Sequence, residues 1–412
     1  MEVVVTIYLL IMFVAIYILS LFSILTIKNH KKLYDAPKPD RDYSISIVIP
    51  CYNEGSTIIN NLKALLSQNY LALKKIIVVD DSSTDNSFSI VKKFAKNHPK
   101  IKVVQTPKNT GNAAGAKNFG AKFIKTELIG FSDADSFPEK DAISKMVGFF
   151  NDQNMGAVTS FVPIRNRNAT YLTKIQSLEY MFIGFFRKLL DFVDAVYVTN
   201  GPLSIYRTTF FNNINGFDEK SMTEDIEITW HMISKDYATA MSLAARVSTD
   251  APSKIKPWFR QRTRWGIGGL QTISKYKKFF FRKGLFGAFI LPFVVVSIVL
   301  SIFTFLFSVY LISKSLITMA LTTLKSTTYN APIFNFADFS YHPSVLIFYL
   351  IILFITSMIF YHYILKKTKY EEKFSIKRFF NMLFYLIIYG TLYPIVWFKA
   401  IYRYIVGDYN WR

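Results

Sequence analysis

Cysteine and histidine are scarce in this chain, and acidic residues are outnumbered by basic ones. A single cysteine, Cys51, in 412 residues excludes an internal disulfide framework. Five histidines, scattered without ligand spacing, give no zinc or redox centre. Asp and Glu number 28 against 49 Lys and Arg, a formal charge of +21. No G-x-G-x-x-G follows the first strand pattern, which argues against a dinucleotide-binding oxidoreductase. The long apolar runs carry almost no ionisable residues, which argues against a proton-coupled transporter. There is no internal repeat and no low-complexity segment.

What is abundant is aromatic and apolar. Phenylalanine alone occurs 39 times, and the apolar residues gather at the two ends of the chain. Many of the cations flank those runs, where they meet anionic headgroups or set topology, so a nucleic-acid partner is not expected. Residues 3–27 suffice for one span. Glu2 before the run and Lys28, Lys31 and Lys32 after it weaken a cleaved signal peptide and place the next domain in the cytoplasm. Residues 285–312 and 345–365 are two further spans. The loop between them carries only Lys314 and Lys325 and is expected outside. The next loop, with Lys366, Lys367, Lys369, Lys373, Lys377 and Arg378, is expected inside. Residues 379–401 are a fourth candidate, interrupted by Asn381, Gly390 and Pro394, with a basic tail of Lys399, Arg403 and Arg412. This segment crosses, or it is re-entrant or interfacial. The expected organisation is an N-terminal helix at 1–27, a cytoplasmic domain at 44–283 and a membrane region at 284–412.

Between the ends the pattern changes. Residues 46–50 and 75–79 are short buried-strand patterns separated by a helical stretch near 56–67. Such alternation predicts a doubly wound α/β domain, whose ligands bind beyond the carboxyl ends of the strands. Asp80 and Asp81 end the second strand, and Glu54 lies in the turn after the first. A third apolar stretch runs into Asp133 and Asp135. On a strand, positions i and i+2 share a side, and two carboxylates there suit a hard divalent cation. A polar turn after a strand is the bland reading of the same residues.

Residues 107–118 form a glycine-containing loop running into a helix that carries Lys117, which is either a solvated lysine or a phosphate ligand. Residues 171–192 have helical apolar spacing opposed by Lys174, Arg187 and Lys188. That helix faces the core or lies at the membrane interface, and the nearby spans favour the interface. In residues 198–207, Gly201 fits a strand-turn that needs a positive φ. Thr223 is able to cap a helix that opens with Glu224 and Asp225. Gln261, Arg264 and Trp265 lie on a basic, aromatic segment suited both to a sugar diphosphate and to a membrane surface.

The D-x-D at Asp133 and Asp135, the T-E-D at 223–225, the G-P-L-S-x-Y-R at 201–207 and the Q-x-x-R-W at 261–265 together resemble family 2 glycosyltransferases. The resemblance is to the membrane-embedded processive branch that makes hyaluronan, chitin and cellulose, and it covers residues 44–270. It implies a GT-A-type domain with a mostly parallel sheet, transmembrane helices and interfacial helices. The implied reaction is inverting transfer from a nucleoside diphosphate sugar, a UDP-sugar, to a polysaccharide exported across the cell membrane.

By the same resemblance, Tyr52, Glu54, Asp80, Asp81, Lys117 and Asp133 bind the nucleotide, and Asp133 and Asp135 hold Mg²⁺ or Mn²⁺. Asp225 is the base, with Glu224 and Arg264 beside it. Gly201, Gln261 and Trp265 receive the acceptor. A single-sugar transfer to a lipid acceptor is the alternative, since Q-x-x-R-W also occurs in ceramide glucosyltransferases; an inactive nucleotide-sugar scaffold is a more distant one. Three or four spans make a narrow enclosure, so a homodimer or a partner subunit is a further expectation.

Overall fold

Every residue of the strand Ile45–Cys51 except Pro50 is buried, as expected of a strand covered on both faces. It is β1 in a computed structural model that describes residues 2–329, 345–369 and 376–409. Ahead of it is α1 (Glu2–Asn29). After it follow α2 (Ile58–Leu66), β2 (Leu73–Asp80), α3 (Ser87–Ala95), β3 (Ile101–Gln105), α4 (Ala113–Ala121) and β4 (Leu128–Phe131). The second half has β5 (Ser136–Pro138), α5 (Ser144–Val147), β6 (Met155–Phe161), α6 (Tyr171–Asp191), β7 (Ser204–Arg207), α7 (Thr208–Asn213), α8 (Glu224–Ser234) and β8 (Ala238–Thr249). It closes with α9 (Ile255–Tyr276), α10 (Leu291–Thr328), α11 (Val345–Lys367) and α12 (Ile376–Val406).

The eight strands form one sheet in the order β3-β2-β1-β4-β7-β6-β8-β5. Strands β1 to β4 are mutually parallel, as the alternation predicts. β7 enters antiparallel between β4 and β6, and β5 antiparallel beside β8, so the second half of the sheet is mixed. One face packs Ile45, Ile47 and Ile49 against α2 and α5. The other packs Val48, Val79 and Phe131 against α4, α7 and α8.

A third cluster joins this domain to the apolar helices. Phe185 and Leu189 of α6 pack with Met241 and Leu243 of β8. On the flank of the same helix, Phe186 meets Phe22 of α1 at 4.7 Å between ring centres and Phe360 of α11 at 6.0 Å, and Phe182 meets Tyr385 of α12 at 5.2 Å. Of the two readings of 171–192, facing the core or lying at the membrane interface, the packing shows the first. The helix is buried between the sheet and the apolar helices, and Lys188 is buried with it, 2.6 Å from Asp191.

Four helical segments are long and apolar enough to cross a membrane: Thr6–Asn29, Phe286–Thr328, Ile347–Lys367 and Ile376–Val406. The second outruns the expected end at residue 312, because no proline or glycine follows Pro292 to stop it. Within it, the 38 residues of α10 extend about 57 Å at 1.5 Å each, against a hydrocarbon core of about 30 Å. Lys314 and Lys325 thus stand on a helix rather than in a loop. α12 runs unbroken through Asn381, Gly390 and Pro394. Lys373 and Arg412 lie outside the described residues.

Candidate active site

The register of the parallel strands sets Cys51 opposite Asp80 and Val48 opposite Phe131, so β1 and β2 end together and β4 ends three residues earlier at the same edge of the sheet. The residues that follow those ends open into a cavity of about 650 Å³. Tyr52, Glu54 and Asp81 line it from the parallel half, and Asp133 and Asp135 from the turn after β4. Asn200 and Gly201 come from the loop before β7, Glu224 and Asp225 from the start of α8, and Tyr180 and Arg187 from α6. Gln261, Arg264 and Trp265 complete the wall from α9. Their i, i+3, i+4 spacing puts those three side chains on one helical face, which is the physical content of Q-x-x-R-W.

Asp133 and Asp135 share the cavity, but not through the pleat. β4 ends at Phe131, and both residues lie in the turn before β5. That turn is held by Asn61 of α2, whose Nδ2 donates to the carbonyls of Asp133 at 3.1 Å and Ser136 at 2.5 Å. Burial and the nearby carboxylates of Asp133 and Glu54 push the Asp135 carboxyl up to about 7. Carboxylates thus gather around Asp135, and the guanidinium that acts on it, Arg165, is itself paired with Asp250; this excess of carboxylate oxygen fits a hard cation. Among the described residues no group of three or more Asp, Glu, His or Cys is placed to hold one. Two carboxylates whose shell is completed by phosphate oxygens and water are a usual arrangement for Mg²⁺.

Lys117 is neither solvated nor turned toward an open phosphate site. It is buried, with Nζ 2.8 Å from Glu224 Oε1 and 3.4 Å from Asp133 Oδ1. Burial alone pulls its ammonium down, but the two carboxylates outweigh that and hold it above the ordinary lysine value. Burial pushes Glu224 up, while Lys117 and Arg264 outweigh it and keep that carboxyl below the usual range. Asp225 goes the other way: burial and the Glu224 carboxylate push it up to about 6, against the pull of Lys117 and Arg264. Two adjacent carboxyls are thereby separated into a structural anion and a group able to exchange a proton near neutrality. Thr223 does not cap α8 with its side chain; its Oγ1 is buried without a hydrogen-bond partner and packs against Gly268.

The two strand-end aspartates also separate. Asp81 lines the cavity and accepts from Thr106 Oγ1 at 2.9 Å and Thr110 Oγ1 at 2.9 Å, tying β2 to the loop before α4. Asp80 does not line it. Its Oδ2 accepts from Gln105 Nε2 at 2.9 Å and Ser83 N at 3.2 Å, a structural role that replaces the expected nucleotide contact. β2 ends at Asp80, and Asp81 lies just beyond it, so only Asp81 is carried to the cavity.

Gly201 is needed for close approach rather than for a positive φ, since it is absent from the positive-φ positions. A Cβ there would stand 2.4 Å from Asp133 Oδ2. Gly201→Ala is therefore expected to leave the melting temperature nearly unchanged, because a carboxylate tip can swing. Activity is expected to fall at least tenfold, an order-of-magnitude figure for a displaced active-site group. Unaltered kcat/KM in the alanine variant, measured beside a melting curve, would reject this role.

Three side chains of the site were not singled out from sequence. Asn61 had a signal: it shares the buried stripe of α2 with Ile58, Leu62 and Leu65, where an amide needs partners. Arg187 and Asn200 had none, because their pairing joins separate segments.

Residues 46–214 match the family described as "Glycosyl transferase family 2". The chain is 32% identical over 233 residues to a poly-beta-1,6-N-acetyl-D-glucosamine synthase of Staphylococcus epidermidis, covering 56% of each chain. It is also 32% identical over 247 residues to the "Probable glycosyltransferase YdaM" of Bacillus subtilis (strain 168), covering 58% of each. The match thus spans a little over half the length of these relatives. Among solved structures, a mannosyltransferase of Pyrobaculum calidifontis in complex with GDP-Man and Mn²⁺ superposes with a TM-score of 0.56 at 22% identity. That superposition covers 67% of this chain and 76% of that one, and it shows a shared GT-A-like fold.

Proposed function

We propose, on the premise that residues 46–214 form a family 2 glycosyltransferase domain, that this chain transfers a sugar from a UDP-sugar to the growing end of a polysaccharide. The observation that carries the reading is one cavity with three chemistries on its walls. Asp133 and Asp135 stand where a diphosphate can be neutralised, Asp225 where a hydroxyl can be deprotonated, and Gln261, Arg264 and Trp265 where a sugar can stack. The name of the Staphylococcus epidermidis relative points to N-acetylglucosamine as the sugar.

In this reading Tyr52, Glu54 and Asp81 hold the base and ribose. Asp225 takes the proton of the acceptor hydroxyl as that oxygen bonds to the anomeric carbon. The bond to the diphosphate breaks on the opposite face, so the configuration inverts. Arg264 donates to the departing phosphate oxygens. Asp133 and Asp135 would hold Mg²⁺ or Mn²⁺, which when bound supplies positive charge against the diphosphate. Lys117 keeps Glu224 and Asp133 fixed and leaves Asp225 as the group that titrates.

The catalytic domain is proposed to be cytoplasmic, with the product leaving through the apolar helices. Arg246 of β8 donates to the carbonyl of Thr368, just past the end of α11, at 3.2 Å, which sets the lysines of that end on the domain's side. A cysteine at Tyr329 is expected to react with an impermeant thiol reagent from outside the cell, and one at Lys369 is not. Labelling in the reverse pattern would overturn the orientation.

The purified chain in sealed lipid vesicles, given radiolabelled UDP-N-acetylglucosamine, is expected to make polymer protected from added glycosidase. Recovery of a single-sugar glycolipid alone would transfer the assignment to lipid glycosylation. UDP binding without turnover would make the chain a scaffold.

A further inference from the structure

One wall of the cavity takes no part in the chemistry above. It is built by α6 and by the loop before β7, from Tyr180, Ile183, Gly184, Arg187, Tyr197 and Asn200. Arg187 Nη1 donates to Asn200 Oδ1 at 2.5 Å, and Thr159 Oγ1 donates to the same oxygen at 2.5 Å. A guanidinium has only donors to offer, so the amide must present its oxygen to Arg187 and its nitrogen elsewhere. That nitrogen, Nδ2, is buried and has no hydrogen-bond partner.

The buried cations nearby, Lys117, Lys188 and Arg262, each have a carboxylate partner. Among the described residues Arg187 forms no ion pair, and its side-chain hydrogen bond goes to the neutral amide of Asn200. Burial lowers its guanidinium from the ordinary value, with Tyr197 and then Asp225 acting against that. A half-buried cation without a countercharge and an orphaned amide N–H stand side by side on the cavity wall, and the amide N–H lacks an acceptor oxygen.

The position narrows what supplies that oxygen. Asn200 adjoins Gly201, which lies against Asp133, so the wall flanks the reacting centre and not the nucleotide end at Tyr52 and Asp81. With the diphosphate oxygens taken by Arg264 and by a cation at Asp133 and Asp135 in the reading above, a sugar substituent is the occupant left for this wall. A carboxylate substituent would sit close to Asp225, Glu224 and Asp133 and be repelled by them. An N-acyl carbonyl is neutral and purely an acceptor, with two lone pairs for two donors, and its methyl group can rest against Ile183 and Gly184.

We infer that Arg187 and Asn200 form a pocket for the carbonyl oxygen of an N-acylated sugar, and that this pocket makes the chain select N-acetylated sugars over plain hexoses. The inference rests on the glycosyl-transfer reading. The acyl group belongs either to the sugar being transferred or to the terminal sugar of the acceptor, and the two have separate tests.

The test uses the full-length chain in lipid, with Arg187→Gln and with Asn200→Asp. The second variant keeps the shape and the oxygen bonded to Thr159 and Arg187, exchanges the unpaired donor for an acceptor, and gives Arg187 a carboxylate partner. On the donor arm, UDP release is measured from UDP-N-acetylglucosamine and from UDP-glucose. On the acceptor arm, extension is measured for short N-acetylglucosamine and glucose oligosaccharides of equal length. Retained UDP affinity verifies that each variant is folded, and a variant that fails it leaves the decision to the other.

The expected result is a fall of roughly 10–100-fold in kcat/KM for the N-acetylated substrate of one arm, with the plain substrate unchanged, so that the preference collapses. The arm on which it collapses names the source of the acyl group. Preference retained on both arms, or equal losses on acetylated and plain sugars, overturns the inference. If the wild-type chain itself releases UDP from no sugar nucleotide, the transfer reading fails and takes the inference with it. That failure is distinct, because it does not depend on the variants.

Discussion

Asp225→Asn is expected to lower the rate of sugar transfer about 10²–10⁴-fold and to leave UDP affinity unchanged. Asp225 lies at the start of α8 and lines the same cavity as Asp133 and Asp135. The amide keeps the shape of the side chain and removes its ability to take a proton. The pH profile gives a second readout. With its carboxyl pushed up to about 6, Asp225 is an ionised base above that pH and a protonated, inactive acid below it. Turnover is therefore expected to fall about tenfold per unit as pH drops below about 6, and that limb is expected to vanish in the variant. Turnover above a tenth of wild type would mean that another group is the base.

Excess chelator is expected to abolish transfer, and Asp135→Ala is expected to lower it about 10³-fold with Mg²⁺ present, as several kcal/mol of charge stabilisation are lost. The reason is the charge already gathered at this turn. Asp133 and Glu54 stand close enough to Asp135 to raise its carboxyl, yet Lys117 is held by Glu224 and Asp133 instead. Calorimetric titration with Mn²⁺ in the presence of UDP is expected to show binding to wild type and none to the alanine variant. Full turnover in excess chelator would remove the cation from the reading.

Much of this site was legible before any fold was known, because its motifs are local. Gln261, Arg264 and Trp265 need only the helical repeat to share a face. The D-x-D needs only a short turn, and that turn replaced the strand alternation without changing the outcome. The apolar helices were legible from length and composition, which depend on no partner. What the sequence by itself determined was therefore the apolar helices, the strands β1, β2 and β4 whose ends line the cavity, and the candidate base, diphosphate and stacking groups.

Only the tertiary structure decided who pairs with whom. Lys117 and Glu224 are 107 residues apart, and nothing local tells a buried countercharge from a phosphate ligand. Asp80 and Asp81 are adjacent and chemically alike, but Asp80 ends β2 and is held by Gln105, while Asp81 lies past the strand and lines the cavity, held by Thr106 and Thr110. Arg187 reads locally as the polar face of an amphipathic helix, but α6 is enclosed on both flanks, which carries that cation into the cavity wall. Periodicity records how a segment is wound. The surroundings of a side chain depend on which distant segments close over it, and burial is what turns a charge or an amide into an unmet demand for a partner.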